Sequence, residues 1–374
     1  MAVLLLVACA GRVRGVHIVI VGAGIGGLAA AHAVSRAGHT AHLFERATGS
    51  TAVGAGLAMW PNAMRALDGL GFGSAVRDIG AEVRRARVVT ATGRPISTLD
   101  VAALAREKGA PLVIVERPAL HDLLAVGLEV RRGEAVRSVS ADGLVLEGGE
   151  AVAADAVIGA DGIGSMVREV VEPQSRVVAT GYTVVRGVGA HDVGAGTGME
   201  AWGPGMVAGL SGLLGGRTYW FLEAASERID PHDPVALLRD GVWPEPFHAV
   251  AAATDRTALL VNDVRTLKPL KRWSAANIAL LGDAAHAMAP NLGQGAAQAI
   301  EDAAALGLAL NGSDDPATAF ATYERLRRRR ASMVQRESGR MARLALGRNL
   351  ALKSSVVRLT PDAVSLRLMS RVIG

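Results

Sequence analysis

The chain has 374 residues, of which 50% are hydrophobic and only 20% are charged. That much apolar material can bury a sizeable core, which excludes an intrinsically disordered chain. The net charge is only +5, aromatic residues make up 3% of the chain, and no zinc-ligand spacing or aromatic RNA-binding motif occurs, so we expect no nucleic-acid partner.

Cys9 is the only cysteine. A disulfide within the chain and a metal centre built from several cysteines are therefore both excluded. A single thiol fits a reducing compartment, and we expect a cytoplasmic protein that binds no metal.

The first fifteen residues need a separate interpretation. The apolar run from Leu4 to Ala8 ahead of Cys9 resembles the end of a bacterial lipoprotein signal, but no basic residue precedes it and the run is short for a signal core. We expect residues 1–15 to be a start-site extension or disordered, with the natural protein beginning near Val16. No uncharged apolar stretch of about 18 residues occurs, so the sequence predicts no membrane span.

The first predicted elements form a βαβ unit. Residues 17–21 are a short apolar run, which is typical of a buried parallel strand. A glycine-rich turn follows, then an alanine-rich helix to about Ala37 that is stopped by Gly38, and a second strand over 41–44 that ends at Glu45.

The rest of the chain alternates between strand and helix patterns before it becomes mostly helical. We predict helices over 61–70 and 117–128, strand-like runs over 83–99, 112–115, 134–139, 143–147, 151–158 and 277–281, an antiparallel sheet over 177–222, and helices after Gly293. This is an α/β fold: a Rossmann-like domain with an inserted antiparallel β-sheet domain and a helical C-terminus.

The turn Gly22-Ala-Gly24-Ile-Gly-Gly27 is a GxGxxG motif between a buried strand and a helix. Gly22 permits the tight turn, Gly24 lets a pyrophosphate approach the backbone, and Gly27 lets the helix pack closely on the strand. Glu45, at the end of the next strand, is placed to accept hydrogen bonds from ribose hydroxyls, which favours FAD or NAD. A glycine-rich turn without a ligand is the alternative.

Two later segments also run from a strand through an acidic, glycine-rich turn into a helix. The first reads DAVIGADGIGSMVR over 155–168 and contains Asp161 and Gly162. The second reads IALLGDAAHAMAPNLGQG over 278–295 and contains Asp283 and His286. Each alone is compatible with an ordinary capped helix, but three such segments in this order favour one shared dinucleotide site.

With these three segments, the sequence resembles the class A flavin monooxygenases, which have the para-hydroxybenzoate hydroxylase fold and include aromatic-ring and polyketide hydroxylases. The resemblance covers almost the whole chain from Val16, including Gly54-Ala-Gly56, Trp60-Pro-Asn62 and Glu116-Arg117. It implies an FAD-binding domain over 16–80, 111–175 and 263–374, and a substrate-binding β-rich domain over 81–110 and 176–262.

The resemblance also implies which residues hold the cofactor. Glu45, Arg46 and Arg117 would hold the FAD ribose and phosphate region, and Asp161 and Gly162 belong to a motif linked to FAD and the nicotinamide cofactor. Asp283 would contact the ribityl chain. The isoalloxazine ring would be bordered by Pro290, Gly293, Gln294 and Gly295.

The chemistry implied by the family is hydroxylation, or epoxidation, of a small aromatic or polyketide-like substrate. NADH or NADPH would reduce non-covalently bound FAD, and dioxygen would form a flavin C4a-hydroperoxide that transfers the oxygen.

We expect a monomer or homodimer. The alternatives are an FAD-dependent reductase resembling geranylgeranyl reductases, and a flavin-loaded ligand-binding protein. Gly194-Ala-Gly196-Thr-Gly198 lacks the context of a second dinucleotide site.

No side chain has a strong catalytic signature. His286 is a weak candidate for proton transfer, with fixing of the motif's backbone as the stronger alternative, and Arg186 is a weak candidate for pairing with an anionic or phenolate substrate. We expect the run Arg327–Arg330 to form a solvated helix face. Tyr182, Val184 and Arg186 alternate along one strand, and a substrate pocket is predicted from Tyr182, Val184, Arg186, Trp202, Met206, Trp220 and Leu222. Core packing is the alternative for Trp202, Met206, Trp220 and Leu222, and a solvated or structural role is the alternative for Arg186.

Overall fold

The computed structural model of the chain describes residues 15–49, 55–359 and 362–374. Residues 1–14 of the predicted start-site extension, including Cys9, and Gly54 of the 54–56 motif lie outside the described residues. The strands are β1 His17–Val21, β2 Thr40–Glu45, β3 Gly56–Met59, β4 Ala81–Val83, β5 Arg85–Thr90, β6 Pro95–Asp100, β7 Leu112–Glu116, β8 Val130–Arg132, β9 Val136–Ser140, β10 Gly143–Leu146, β11 Ala151–Ala153, β12 Ala156–Gly159, β13 Val177–Gly189, β14 Thr197–Gly203, β15 Met206–Gly212, β16 Thr218–Ala225, β17 Leu260–Leu267, β18 Ser274–Ala275 and β19 Ile278–Leu280.

The helices flank and follow these strands. They are α1 Ile25–Arg36, α2 Pro61–Leu70, α3 Gly73–Ile79, α4 Val101–Lys108, α5 Arg117–Ala125, α6 Met166–Val171, α7 Ala236–Arg239, α8 Glu245–Ala252, α9 Asp283–His286, α10 Gly295–Asn311, α11 Pro316–Ala345, α12 Leu350–Leu359 and α13 Asp362–Ile373. Short 3-10 helices span Ser226–Arg228, Arg256–Ala258 and Pro290–Leu292. No helix among the described residues is long and apolar enough to cross a membrane.

A mostly parallel six-stranded sheet carries the first and last parts of the chain. Its strand order is β18-β19-β12-β1-β2-β8, and β1 pairs in parallel with β12 on one side and β2 on the other. Parallel strands are buried on both faces, which explains the uninterrupted apolar runs of β1 and β12. Helices α1 and α10 pack side by side because Gly307 has no side chain, and a Cβ there would lie 3.0 Å from the Cβ of Ala33.

A seven-stranded sheet forms the second large layer, in the order β17-β13-β16-β15-β14-β5-β6. The strands between residues 177 and 222 pair in antiparallel fashion, as predicted, and β14 pairs in parallel with β5, which lies earlier in the chain. One face packs against α7 and α8 in a core that includes Trp220, Leu222 and Phe247. We call the opposite face the front face; it carries Arg186, Phe221 and Val207.

Most predicted elements are present, with shifted ends. The helix predicted over 117–128 ends at Ala125, and the strand predicted over 151–158 is two strands, β11 and β12, that belong to different sheets. Asp155 lies between these two strands, where its carboxylate accepts a hydrogen bond from the His17 N–H at 2.8 Å. The domain boundary predicted after residue 262 falls inside β17, which pairs with β13 of the seven-stranded sheet.

Candidate active site

The glycine turn after β1 leaves one backbone surface open. Gly22 has φ +102°, and a Cβ on Gly22 would overlap the Ala160 carbonyl, while a Cβ on Gly27 would overlap the Gly22 carbonyl. A Cβ on Gly24 would meet nothing within 4 Å. Gly24 is also the N-cap of α1 and supplies no side chain to the free N–H groups of the first turn, so the open surface is one that attracts an anion.

Glu45 is fixed beside this turn. Its two carboxylate oxygens accept hydrogen bonds from the Ala23 and Ala47 N–H groups, each at 2.9 Å. The carboxylate is half-buried at the carboxyl end of β2, next to the open surface at Gly24. The neighbouring Arg46 is exposed and makes no hydrogen bond or ion pair with the residues described by the structure.

The second acidic segment lies at the carboxyl end of β12, against the glycine turn. One oxygen of Asp161 accepts hydrogen bonds from the Met166 and Val167 N–H groups at 2.9 and 3.3 Å, and thereby caps α6. The other oxygen, Oδ1, is buried with no partner among the described residues. Burial raises the pKa of Asp161, although hydrogen bonds from Ser165 and the α6 backbone oppose the rise. Gly162 follows with φ +76° and open space around it.

The third segment surrounds the start of α10. Asp283 is exposed although the residues on either side of it are buried. Gln294 is fully buried, and its Oε1 accepts hydrogen bonds from Asn62 at 3.1 Å and Gln298 at 3.0 Å. Its Nε2 is buried without a partner in the described parts of the chain. A Cβ on Gly295, the first residue of α10, would meet nothing within 4 Å.

The charge of Arg117 is influenced both by this third segment and by the front face of the seven-stranded sheet. It begins α5 directly after β7. Burial lowers its pKa, the carboxylate of Asp283 opposes that effect, and the positive charge of Arg186 adds to it. Arg117 therefore lies within electrostatic range of both Asp283 and Arg186. It makes no side-chain hydrogen bond to the residues that the structure describes.

These residues fit FAD. Open backbone at Gly24, Gly162 and Gly295 leaves room for a ligand, and helices α1 and α10 direct free N–H groups toward it. The orphaned atoms Asp161 Oδ1 and Gln294 Nε2 are a buried acceptor and a buried donor that a ligand would satisfy.

The comparisons with known proteins agree with this geometry. A family model described as an FAD binding domain matches residues 15–189 and 251–338. The aurachin C monooxygenase/isomerase of Stigmatella aurantiaca is 36% identical over 339 residues, which are 85% of this chain and 86% of that protein. The chain belongs to the class A FAD-dependent monooxygenase family.

Other class A monooxygenases match over a similar span. The 2-heptyl-3-hydroxy-4(1H)-quinolone synthase of Mycobacteroides abscessus is 32% identical over 345 residues, with 87% of this chain and 89% of that protein covered. The crystal structure of Klebsiella pneumoniae HpxO with FAD and uric acid superposes with a TM-score of 0.88 at 26% identity, covering 96% of each chain. These relatives support the monooxygenase interpretation and neither the reductase nor the binding-protein alternative.

His286 of this class A monooxygenase lies in a buried ionic network behind the third segment. Its side chain is 1% exposed, and its Nε2 lies 2.6 Å from Asp302 Oδ2, which also accepts a hydrogen bond from the Gly282 N–H at 3.1 Å. Arg327 Nε donates to the other oxygen of Asp302 at 2.7 Å. Burial alone would raise the pKa of Asp302, but His286 and Arg327 outweigh it and hold the pKa at about 2.

The prediction of a solvated face at Arg327–Arg330 is wrong for its first member. Arg327 is 5% exposed, paired with Asp302 and Glu301, and Arg330 is also paired with Glu301. Four consecutive residues span more than a full turn of a helix, so at least one of them must point inward. The network joins α10 to α11 and fixes the backbone at Gly282, just before Asp283.

The predicted substrate pocket divides between two faces of the sheet. Successive residues of a strand point to opposite faces, and β16 pairs with β13 so that Phe221 lies beside Arg186 and Trp220 lies beside Gly187. The front face carries Tyr182, Val184, Arg186 and Trp202. As a correction, Trp220, Leu222 and Met206 lie on the back face, packed in the core with α7 and α8.

Sequence reasoning missed two polar residues of the front face. Glu223 lies beside Val184 and is 2% exposed, and its Oε2 accepts a hydrogen bond from Asn291 Nδ2 at 2.6 Å. Glu200 is also on this face, where it accepts a hydrogen bond from the Trp202 indole. The alternation of β16 around Arg186 could have identified Glu223 once the pairing was known, but no local motif marks it.

Proposed function

We propose that this monooxygenase uses NADH or NADPH and dioxygen to hydroxylate, or to epoxidise, a small ring-bearing substrate held between the FAD and the front face. The observation that carries the proposal is the position of Arg117, within electrostatic range of Asp283 in the flavin motif and of Arg186 on the front face. The relatives named for quinolone and uric acid chemistry support a small aromatic or heteroaromatic substrate.

In this proposal the three acidic segments hold the cofactor. Gly22, Gly24 and Gly27 seat the pyrophosphate at α1, Glu45 binds the ribose, and Arg46 and Arg117 neutralise phosphate charge. Asp161 and Gly162 border the same cleft, and Asp283 binds the ribityl chain. Bound FAD supplies the redox chemistry and the activation of dioxygen. Pro290, Gly293, Gln294 and Gly295 border its ring, where the N-terminus of α10 stabilises negative charge on the reduced flavin.

The front face would position the substrate and exclude water. The side chain of Arg186 makes no hydrogen bond to any described residue, so its guanidinium is available to an anionic or phenolate oxygen. Val184 on the same strand and Phe221 on the paired strand β16 are its apolar neighbours on this face. A cavity of about 380 Å³ lies at the outer end of this face, lined by Tyr182, Leu346 and Arg348 among others, and would give the substrate a way in.

The test begins with the purified full-length chain. We expect a yellow protein that releases FAD on denaturation, and NADH or NADPH oxidation with matching oxygen uptake that is stimulated by a member of a panel of phenols, quinolones and purines. Correctly folded protein that fails to bind added FAD would overturn the proposal. Stimulated oxidation without oxygen uptake would instead indicate the reductase, and flavin binding without any oxidation would indicate the ligand-binding protein.

A further inference from the structure

Glu223 is a buried carboxylate that is not among the residues proposed to bind FAD. It lies on β16 of the front face, and Asn291 binds one of its oxygens. Asn291 is in the 3-10 helix Pro290–Leu292, directly before Gly293 and α10. This hydrogen bond therefore ties the carboxylate to the segment that borders the flavin ring. Its second oxygen, Oε1, accepts no hydrogen bond from the described residues.

Two charged side chains and one amide surround Glu223, each on a different element. Arg186 lies on the adjacent strand β13, Glu200 lies on β14 of the same face, and Asn291 approaches from the flavin side. Burial raises the pKa of Glu223 to about 7; the Asn291 hydrogen bond opposes the rise, Glu200 adds to it and Arg186 opposes it. A carboxyl with a pKa near neutral is well matched to taking up and releasing a proton at physiological pH.

We propose that Glu223 accepts a hydrogen bond from a ring O–H or N–H of the substrate and takes its proton, and that it thereby selects ring compounds bearing such a group. This inference rests on the proposed function, because it requires a ring substrate on the front face. The O–H or N–H bond breaks, its electron pair stays on the ring, and the proton passes to Glu223 Oε1. Arg186 stabilises the resulting anion, whose electron-rich ring is a better acceptor of oxygen.

The experiment compares matched ligands on matched variants of the holoenzyme. The ligands are 2-heptyl-4(1H)-quinolone with its N-methyl derivative, and 3-hydroxybenzoate with its methyl ether. Each is tested for binding by the change in flavin absorbance and for turnover by NADH or NADPH oxidation. The variants are Glu223→Gln, which keeps the shape and can still accept from Asn291, and Glu227→Gln, which removes an exposed carboxylate two residues past the end of β16.

We expect the unmodified ligand of at least one pair to bind and turn over, and its methylated partner to do so poorly. In Glu223→Gln the kcat/KM for the unmodified ligand should fall by about 100-fold or more. The decline of activity on the acid side of the pH profile, which needs an ionised base, should also disappear. Glu223→Asp should restore part of the rate and the pH dependence, whereas Glu227→Gln should match the unmodified enzyme.

The two proposals fail in different ways. If wild-type enzyme binds and turns over a ligand, and Glu223→Gln keeps its rate, its pH profile and its preference over the methylated compound, the role of Glu223 is overturned and the proposed function stands. If no member of the panel of phenols, quinolones and purines stimulates oxygen uptake by the FAD-loaded wild-type enzyme, the proposed function fails and the role of Glu223 fails with it.

Discussion

At the scale of single residues, the glycines of the first turn separate into those that the fold requires and Gly24, whose lack of a side chain the fold does not require. Gly27 has the Gly22 carbonyl where its Cβ would be, so its lack of a side chain is a packing requirement. A Cβ on Gly24 would meet nothing within 4 Å, and the φ of Gly24 is −72°, which any residue can adopt. The GxGxxG pattern predicted different roles for these two positions, and the structure adds the contact that a side chain at Gly27 would make and the open space beside Gly24.

This difference predicts opposite outcomes for two alanine substitutions. Gly24→Ala should fold with near wild-type thermal stability in the absence of FAD, yet bind FAD about tenfold or more weakly, because the methyl group occupies the phosphate approach. Gly27→Ala should unfold at a markedly lower temperature, because the strand and helix are forced apart. Calorimetry of the FAD-free proteins and FAD titration would check both, and normal FAD affinity in Gly24→Ala would contradict the proposed pyrophosphate site.

Glu223 also has a predictable effect on stability. A carboxyl whose pKa rises from 4.5 to about 7 on folding binds its proton more tightly in the folded state, so the free energy of unfolding falls as pH rises between these values. The loss levels off above about pH 7 at roughly 3 kcal/mol. Glu223→Gln carries no such proton and should be the more stable protein in that range.

Thermal unfolding from about pH 5 to about pH 8 would show this effect as a melting-temperature advantage of Glu223→Gln that grows with pH. Glu227→Gln, which removes an exposed carboxylate, is the control. A constant difference between wild type and Glu223→Gln across this range would show that the carboxyl is not held in a low-dielectric environment.

At the scale of secondary-structure elements, α11 is tied to the third segment, residues 278–295, by charge buried in the core. Arg327 bridges Asp302 and Glu301 on α10, and Asp302 in turn holds His286 and the Gly282 N–H. Breaking a buried pair by removing one partner leaves the other charge uncompensated, which typically costs about 3–5 kcal/mol.

We therefore expect Arg327→Met to lower the free energy of unfolding by about 3 kcal/mol or more. The neighbouring Arg328 pairs with Glu324 one turn away and its side chain is 41% exposed, so Arg328→Met should change stability by about 1 kcal/mol or less. Urea unfolding of both variants measures the contrast. Equal effects would mean that the ionic network does not anchor the flavin segment.

The elements also show what a single sequence can and cannot predict here. The three strand-turn-helix segments were predictable, because glycine, acid and apolar residues at fixed spacing have local causes. The burial of Arg327 and the placement of Trp220 on the back face of the seven-stranded sheet were not predictable, because each depends on which neighbouring element the residue meets. The strand at Thr218–Ala225 has apolar residues on both faces, so alternation alone cannot tell which face meets the cofactor.

At the scale of the whole molecule, the proposed FAD site is assembled from parts of the chain that are far apart. Gly24, Arg117, Asp161 and Gly295 come from different regions of the sequence and meet along the ends of parallel strands and the starts of helices. A ligand that contacts all of them binds only the folded state, and such binding stabilises a protein in proportion to the logarithm of free ligand concentration.

Removal of FAD should therefore lower the melting temperature, and adding it back should raise the melting temperature progressively. At a free FAD concentration of about 100 times the dissociation constant, the gain is about 2.7 kcal/mol. Scanning calorimetry at several FAD concentrations would measure this, and the curve for Gly24→Ala should move to higher concentration. A melting temperature independent of FAD would rule out a single site built from these regions.

The front and back faces of the seven-stranded sheet should respond differently to directed evolution of the enzyme's specificity. A library that varies Val184 and Phe221 changes the front face, which is proposed to meet the substrate, and leaves the packing of α7 and α8 intact. We expect a library at Trp220 and Leu222 to give mostly misfolded clones, because both residues are fully buried in the core against α7 and α8. Insertion of one residue into β16 would move its front-face side chains to the back face and its back-face side chains to the front. Insertions and deletions should therefore be tolerated best in the turns at Gly203-Pro204-Gly205 and Gly215-Gly216.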